Sequence, residues 1–161
     1  MVVEAYFEDL LMKLTIVNQT SEKINTKRLE KALDLCIQSL CAKRLRQKKR
    51  LTDRAEIVFV FLTEAQMRKI NMQFRGKNKS TDVLSFLSAD PQALGELLFC
   101  MPVLKKQAKR QGHPLEAELV YMMIHGLLHL LGYDHEVSKS EEKVMFQIQN
   151  SCFEQVRHPL W

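Results

Sequence analysis

The chain has 161 residues, 46% of them hydrophobic, and a net charge of +5, enough to bury an ordinary core in a single domain (1–161) without disulfides or a structural metal. No run of about 18 apolar residues is present, and the opening MVVEAYFEDLLMK carries acids where a secretory leader has a basic start, so a cytoplasmic protein with no membrane partner is expected. The four cysteines, Cys36, Cys41, Cys100 and Cys152, form no CxxC pair and read as reduced buried thiols, while the positive balance turns attention to anionic partners, nucleic acid foremost.

Leu14–Asn18 (LTIVN) is β-branched and apolar and predicts a short strand. Asn25 caps a helix of about four to five turns in which Leu29, Ala32, Leu33, Cys36, Ile37 and Leu40 follow a 3.6-residue period. That helix runs into Lys43, Arg44, Arg46, Lys48, Lys49 and Arg50, six cations in eight residues. They read either as a patch for phosphates or as a solvated helix end whose charges complement the dipole.

Ala55–Leu62 (AEIVFVFL) is a continuous apolar run and predicts a central strand. Thr63, with Gln66 three residues on, forms a capping-box pattern that opens a helix to about Phe74. The polar stretch Arg75–Ser80 reads as a loop, Thr81–Leu87 (TDVLSFL) as a strand, Asp90-Pro91 as a turn and Gly95–Cys100 as the last strand. Pro102 starts a helix that carries Lys105, Lys106, Lys109 and Arg110 and ends near Gly112. Pro114, in the first turn of the next helix, opens a long apolar segment with Glu116 and Glu118 near its positive end. A final amphipathic helix, Lys139 to about Arg157, has its apolar face on Val144, Ile148, Cys152 and Val156, with Met145 beside them. This order predicts an α+β fold: one small mixed sheet of about four strands, packed with helices around a buried central helix.

The chemistry lies in that central helix, ELVYMMIHGLLHLLGYDH, residues 118–135. His125 and His129, four apart, share one helix face, with Cβ atoms about 5–6 Å apart. Gly132 stops the helix and Tyr133-Asp134 carries the chain round, so His135 can return to the same point. Three of the five histidines fall within eleven positions of an apolar segment, and burying them without a partner for their lone pairs is costly. A tetrahedral zinc on three imidazoles keeps a fourth position open, as catalytic sites do. The alternative is a hydrogen-bonded core pair. His113 and His158 read as surface residues. Metalloproteases carry glutamate directly after the first helix histidine as general base, and here that position is Gly126. Hydrolysis would then rest on the metal to lower the pKa of its water toward about 7.

HGLLHLLGYDH, preceded by TDVLSF and LGELLF, resembles the YbeY family of single-zinc endoribonucleases that act in ribosomal RNA maturation. The resemblance covers roughly Leu14 to Phe153 in element order. It implies one Zn²⁺ per chain held by His125, His129 and His135, a cleft facing the sheet with Thr81, Asp82, Ser85 and Phe86 in its lining, ribosomal RNA as substrate and ribosomal subunit proteins as further partners. It also implies an important arginine before TDVLSF, the place Arg75 occupies. A planar, permanently charged guanidinium suits a phosphate in binding and as charge builds in the transition state.

Arg75 and His129 are thus the catalytic candidates, and Arg75, Ser85, Lys105 and Lys106 the candidate substrate contacts. The basic segments Lys43–Arg50 and Lys105–Arg110 would draw in the RNA. Attack by metal-activated water and metal-assisted attack by the ribose 2′-hydroxyl both remain open. The chain departs from the family pattern at Leu87, where proline usually follows LSF, and at Gly95-Glu96, where the family has Gly-Asp. Two rival readings are a ribosome-associated RNA-binding factor with a mainly structural zinc, for which Asp134 or Glu136 would supply a fourth ligand, and a zinc peptidase, which lacks its glutamate.

Overall fold

The computed structural model describes residues 12–160; the acidic opening segment 1–11 lies outside them. The elements run β1 (Lys13–Asn18), α1 (Thr26–Cys41), α2 (Lys49–Asp53), β2 (Glu56–Leu62), α3 (Glu64–Arg75), β3 (Val83–Leu87), β4 (Ala93–Cys100), α4 (Met101–Gln111), α5 (Leu115–Leu130) and α6 (Lys139–Leu160). The α+β expectation holds, with four strands in the order β1-β2-β4-β3. β1 and β4 flank β2 in parallel, and β3 closes one edge antiparallel to β4.

Apolar patterning explains the layers. On β2 the side chains of Ile57, Phe59 and Phe61 are buried on one face and Leu62 on the other, which is why this strand reads as an unbroken apolar run. The larger core joins Ile57, Phe59, Phe61, Leu97 and Phe99 of the sheet to α1, α5 and α6. A smaller one joins Leu62, Leu84, Leu98 and Cys100 to Met67 of α3. Helix α5 is buried nearly all round, as a central helix must be when every turn carries Leu, Met, Val or Ile. Among the described residues no helix is long and apolar enough to cross a membrane.

The expected caps are present. Asn25 accepts from the Arg28 amide, and Thr63 and Gln66 form the reciprocal capping box. Three expectations need correction. First, α1 ends at Cys41, and the cationic stretch beyond it forms a loop and the short α2 rather than a helix end. Several of its charges are occupied: Arg46 bonds both Glu141 carboxylate oxygens at 2.6 and 2.8 Å, and Arg50 caps the Leu130 carbonyl at 2.8 Å. Second, Arg75 is the last residue of α3 and not part of the loop, and Pro114 caps α5 from outside its first turn. Third, the buried face of α6 is Met145, Gln149, Cys152 and Val156, while Val144 is 36% exposed. Residues four apart advance 40° round a helix at each step, so a strict four-residue stripe leaves the face; the 4-3-4 spacing stays on it.

All four cysteines are free thiols, three of them buried. His113, expected at the surface, sits 3.0 Å from the carboxylate of Glu118, which lies in the first turn of α5 as expected and is buried there. Burial raises that carboxyl's pKa.

Candidate metal centre and cleft

Helix α5 delivers His125 and His129 one turn apart, and the chain leaves it through Gly132 at φ 87°, a left-handed conformation that suits glycine. The turn brings His135 back over the helix end. Ring centroids lie 4.7 Å (His125–His129), 5.0 Å (His125–His135) and 5.3 Å (His129–His135) apart. One nitrogen from each ring falls within 4.8 Å of the other two, and among the described residues this is the metal-ligand cluster. Nε2 of His125 and Nε2 of His129 are 3.1 Å apart. Two nitrogens on a tetrahedral zinc, each about 2.0–2.1 Å from it, lie about 3.3 Å from one another, so the pair already has a metal's spacing.

The state of His125 follows from its neighbour on α6. Gln149 is fully buried and its amide nitrogen donates to the Tyr121 carbonyl at 3.2 Å. That bond turns Oε1 toward Nδ1 of His125, 2.9 Å away. An amide oxygen only accepts, so Nδ1 carries the hydrogen and Nε2 presents its lone pair to the centre. In the metal-free protein burial, and then the neighbouring imidazoles His125 and His135, push the His129 pKa down to about 4. Burial likewise lowers that of His125. Both therefore stand neutral and ligand-ready at pH 7. The residues suit a divalent ion of zinc's preferences: three imidazoles, one with its tautomer set from behind.

The triad opens into a cleft of about 840 Å³ between the free edge of β3, the end of α5 and α6. Thr81, Asp82, Ser85, Phe86 and Arg75 line it, with Phe146 and Gln149 from α6. Neither candidate fourth ligand reaches the centre. Glu136 is held on Arg75, with Oε1 and Oε2 at 2.8 and 2.7 Å from Nη2, and the Asp134 carboxylate accepts from the Glu136 amide at 2.9 Å. The hydrogen bond from Arg75 holds the Glu136 carboxyl below its usual range.

The family profile described as Endoribonuclease YbeY matches residues 15–157. The chain belongs to the YbeY family. A protein of Bdellovibrio bacteriovorus named Endoribonuclease YbeY is 47% identical over 143 residues, 89% of this chain and 94% of that one. A Persephonella marina protein of the same name is 43% identical over 111 residues, 65% of this chain and 72% of that one. Among solved structures, the solution structure of a Thermotoga maritima protein superposes with a TM-score of 0.60 at 30% identity and covers 89% of each chain.

In this YbeY chain the structure brings together His125, His129, His135, Arg75 and Ser85 around one cleft. Ser85 donates to the Gly126 carbonyl at 3.3 Å. Lys105 and Lys106, on α4, are absent from the cleft lining; they pair with Glu22 and Glu64. Gly126 faces the sheet rather than the metal: a Cβ there would lie 2.8 Å from Leu97 Cδ2 and 3.2 Å from Ser85 Oγ. The position usual for a protease glutamate is thus filled by strand side chains. Sequence reasoning missed Gln149 and Phe146. The available signal for the first was a glutamine inside the apolar stripe Met145, Cys152, Val156.

Proposed function

We propose that this chain is a zinc-dependent endoribonuclease of the cytoplasm that cleaves ribosomal RNA during ribosome maturation, with its chemistry carried by one domain. The observation that supports this most directly is the juxtaposition of the three imidazoles with Arg75 across a single open cleft. His125, His129 and His135 would hold the ion. A zinc ion so bound supplies Lewis acidity and lowers the pKa of a water toward about 7.

The remaining work falls to the chain. Gln149 holds His125 in the tautomer that offers Nε2. Arg75 takes a phosphate oxygen in place of the Glu136 carboxylate it now holds, an exchange of one anion for another at a permanently charged fork. Glu136 sits at the surface, where an ion pair is worth about 0–1 kcal/mol, so phosphate competes with it readily. Ser85 lines the wall beside the scissile group, and Lys105, Lys106 and the free cations after α1 contribute long-range attraction to the RNA. No carboxylate stands where a metalloprotease places its base, which supports RNA over peptide as substrate.

The test is cleavage of a labelled ribosomal RNA fragment by wild type, His129→Ala and Arg75→Ala, with zinc content read on each sample. Wild type cuts, His129→Ala loses metal and cutting, and Arg75→Ala keeps metal while its cutting falls at least about 100-fold, the loss of one transition-state anion contact. If no sample cuts while wild type holds its metal, the RNA-binding-factor reading replaces this one.

A further inference from the structure

We propose that Phe74, backed by Phe86, is a stacking platform for a nucleobase of single-stranded RNA, set beside the phosphate position at Arg75; this rests on the nuclease reading above. Helix α3 ends at Arg75, and Gly76 at φ 66° turns the chain away, so no further turn covers the last side chains. Phe74 is left 61% exposed. Its ring is held rather than free: it meets Phe86 edge to face, centroids 5.0 Å apart at 64°. Phe86 lines the cleft, and Arg75, the next residue, reaches across that cleft to Glu136. One helix end therefore presents, side by side, a fixed aromatic face and a guanidinium.

That pairing matches a nucleotide. The contact with Phe86 is edge to face and Phe74 stays 61% exposed, so much of its ring is open to solvent, and every base has a π-face to lay on it. The surroundings supply the complementary charge: Lys77 is 3.6 Å from Glu136, beside Arg75, so anions are drawn to the same rim. A duplex keeps its bases stacked on one another, whereas a single strand can splay one out onto the ring. The platform thus selects unpaired RNA and sets the register of the chain relative to the metal centre.

The experiment is a fluorescence binding titration of the zinc-loaded protein with a short single-stranded oligoribonucleotide bearing 2′-O-methyl sugars, alongside kcat and KM on the cleavable strand. Wild type is compared with Phe74→Ala, Phe74→Leu and Phe74→Trp. Loss of one stacked base weakens binding about 5- to 150-fold in Phe74→Ala and raises KM more than it lowers kcat. Phe74→Trp restores binding and Phe74→Leu does not. In wild type, an abasic site at one particular nucleotide produces a similar loss, and that loss vanishes on top of Phe74→Ala. Binding by Phe74→Ala equal to wild type, rescue by leucine, or an undiminished abasic penalty overturns the platform while leaving the nuclease reading intact. A wild type that neither binds nor cuts RNA overturns both.

Discussion

Replacing Gln149 by methionine tests how far the metal centre depends on a residue that never touches the metal. Methionine keeps the volume but has no oxygen for His125 Nδ1–H, now 2.9 Å from Oε1, and no hydrogen for the Tyr121 carbonyl, 3.2 Å from Nε2. A buried donor left without a partner costs about 1–3 kcal/mol, which in a domain of this size lowers the Tm of the metal-free protein by about 2–12 °C. The ring is then free to carry its hydrogen on either nitrogen, and half of those states turn an N–H toward the centre. Loss of such a supporting partner weakens metal binding about 10- to 100-fold. The assay is competition for zinc against a chromophoric chelator, paired with calorimetry of the metal-free protein. Gln149→Glu keeps the acceptor and retains wild-type zinc affinity or better, although it loses the Tyr121 bond. Zinc affinity equal to wild type in Gln149→Met, alongside a lowered Tm, refutes the reasoning and reduces Gln149 to a packing residue.

Gly126→Glu, which recreates the metalloprotease pattern, destabilises the fold by more than about 1–3 kcal/mol in chemical denaturation, since overpacking displaces Leu97 and Ser85; a stable variant with new peptidase activity would contradict this. Glu136→Gln releases Arg75 from its ion pair and tightens RNA binding by up to about 5-fold at low salt, an effect that shrinks as salt is raised; unchanged affinity at every salt would mean the pair does not compete with phosphate. The folded pKa of His129, about 4, lies below its ordinary 6.5. The unfolded chain therefore binds the extra proton first, so the metal-free protein keeps this contribution above pH 6.5 and loses stability as the pH falls from 6.5 toward 4. Thermal melts across that window check the sign, and His129→Gln flattens the profile. Stripping the metal with a chelator lowers the Tm by an amount that depends on zinc concentration, as binding to the native state alone requires.

Local rules make much of this protein legible in its sequence. The capping residues Asn25 and Thr63, the helix stop at Gly132 and the i, i+4 histidines each act within a few residues of chain, through a cap bond, a left-handed turn or the pitch of one helix. So did the two-faced burial of β2, because a strand covered on both sides must be apolar at every position. The motif from His125 to His135 carried enough of that local information to point to the metal centre and to the family. Other features answer to distance in sequence. Gln149 is 24 residues from His125, and its apolar-stripe position has meaning only once α6 crosses α5. The cations after α1 looked free because their partners, Glu141 and the Leu130 carbonyl, lie more than 75 residues away. What lies opposite Gly126 is likewise decided by distant strands, since Ser85 of β3 and Leu97 of β4 fill the space a side chain there would take. Composition, caps and periodicity decide what each segment becomes, since those forces act along the chain; which polar group meets which, and which face a glycine opens, is decided only when distant segments pack and exclude water between them.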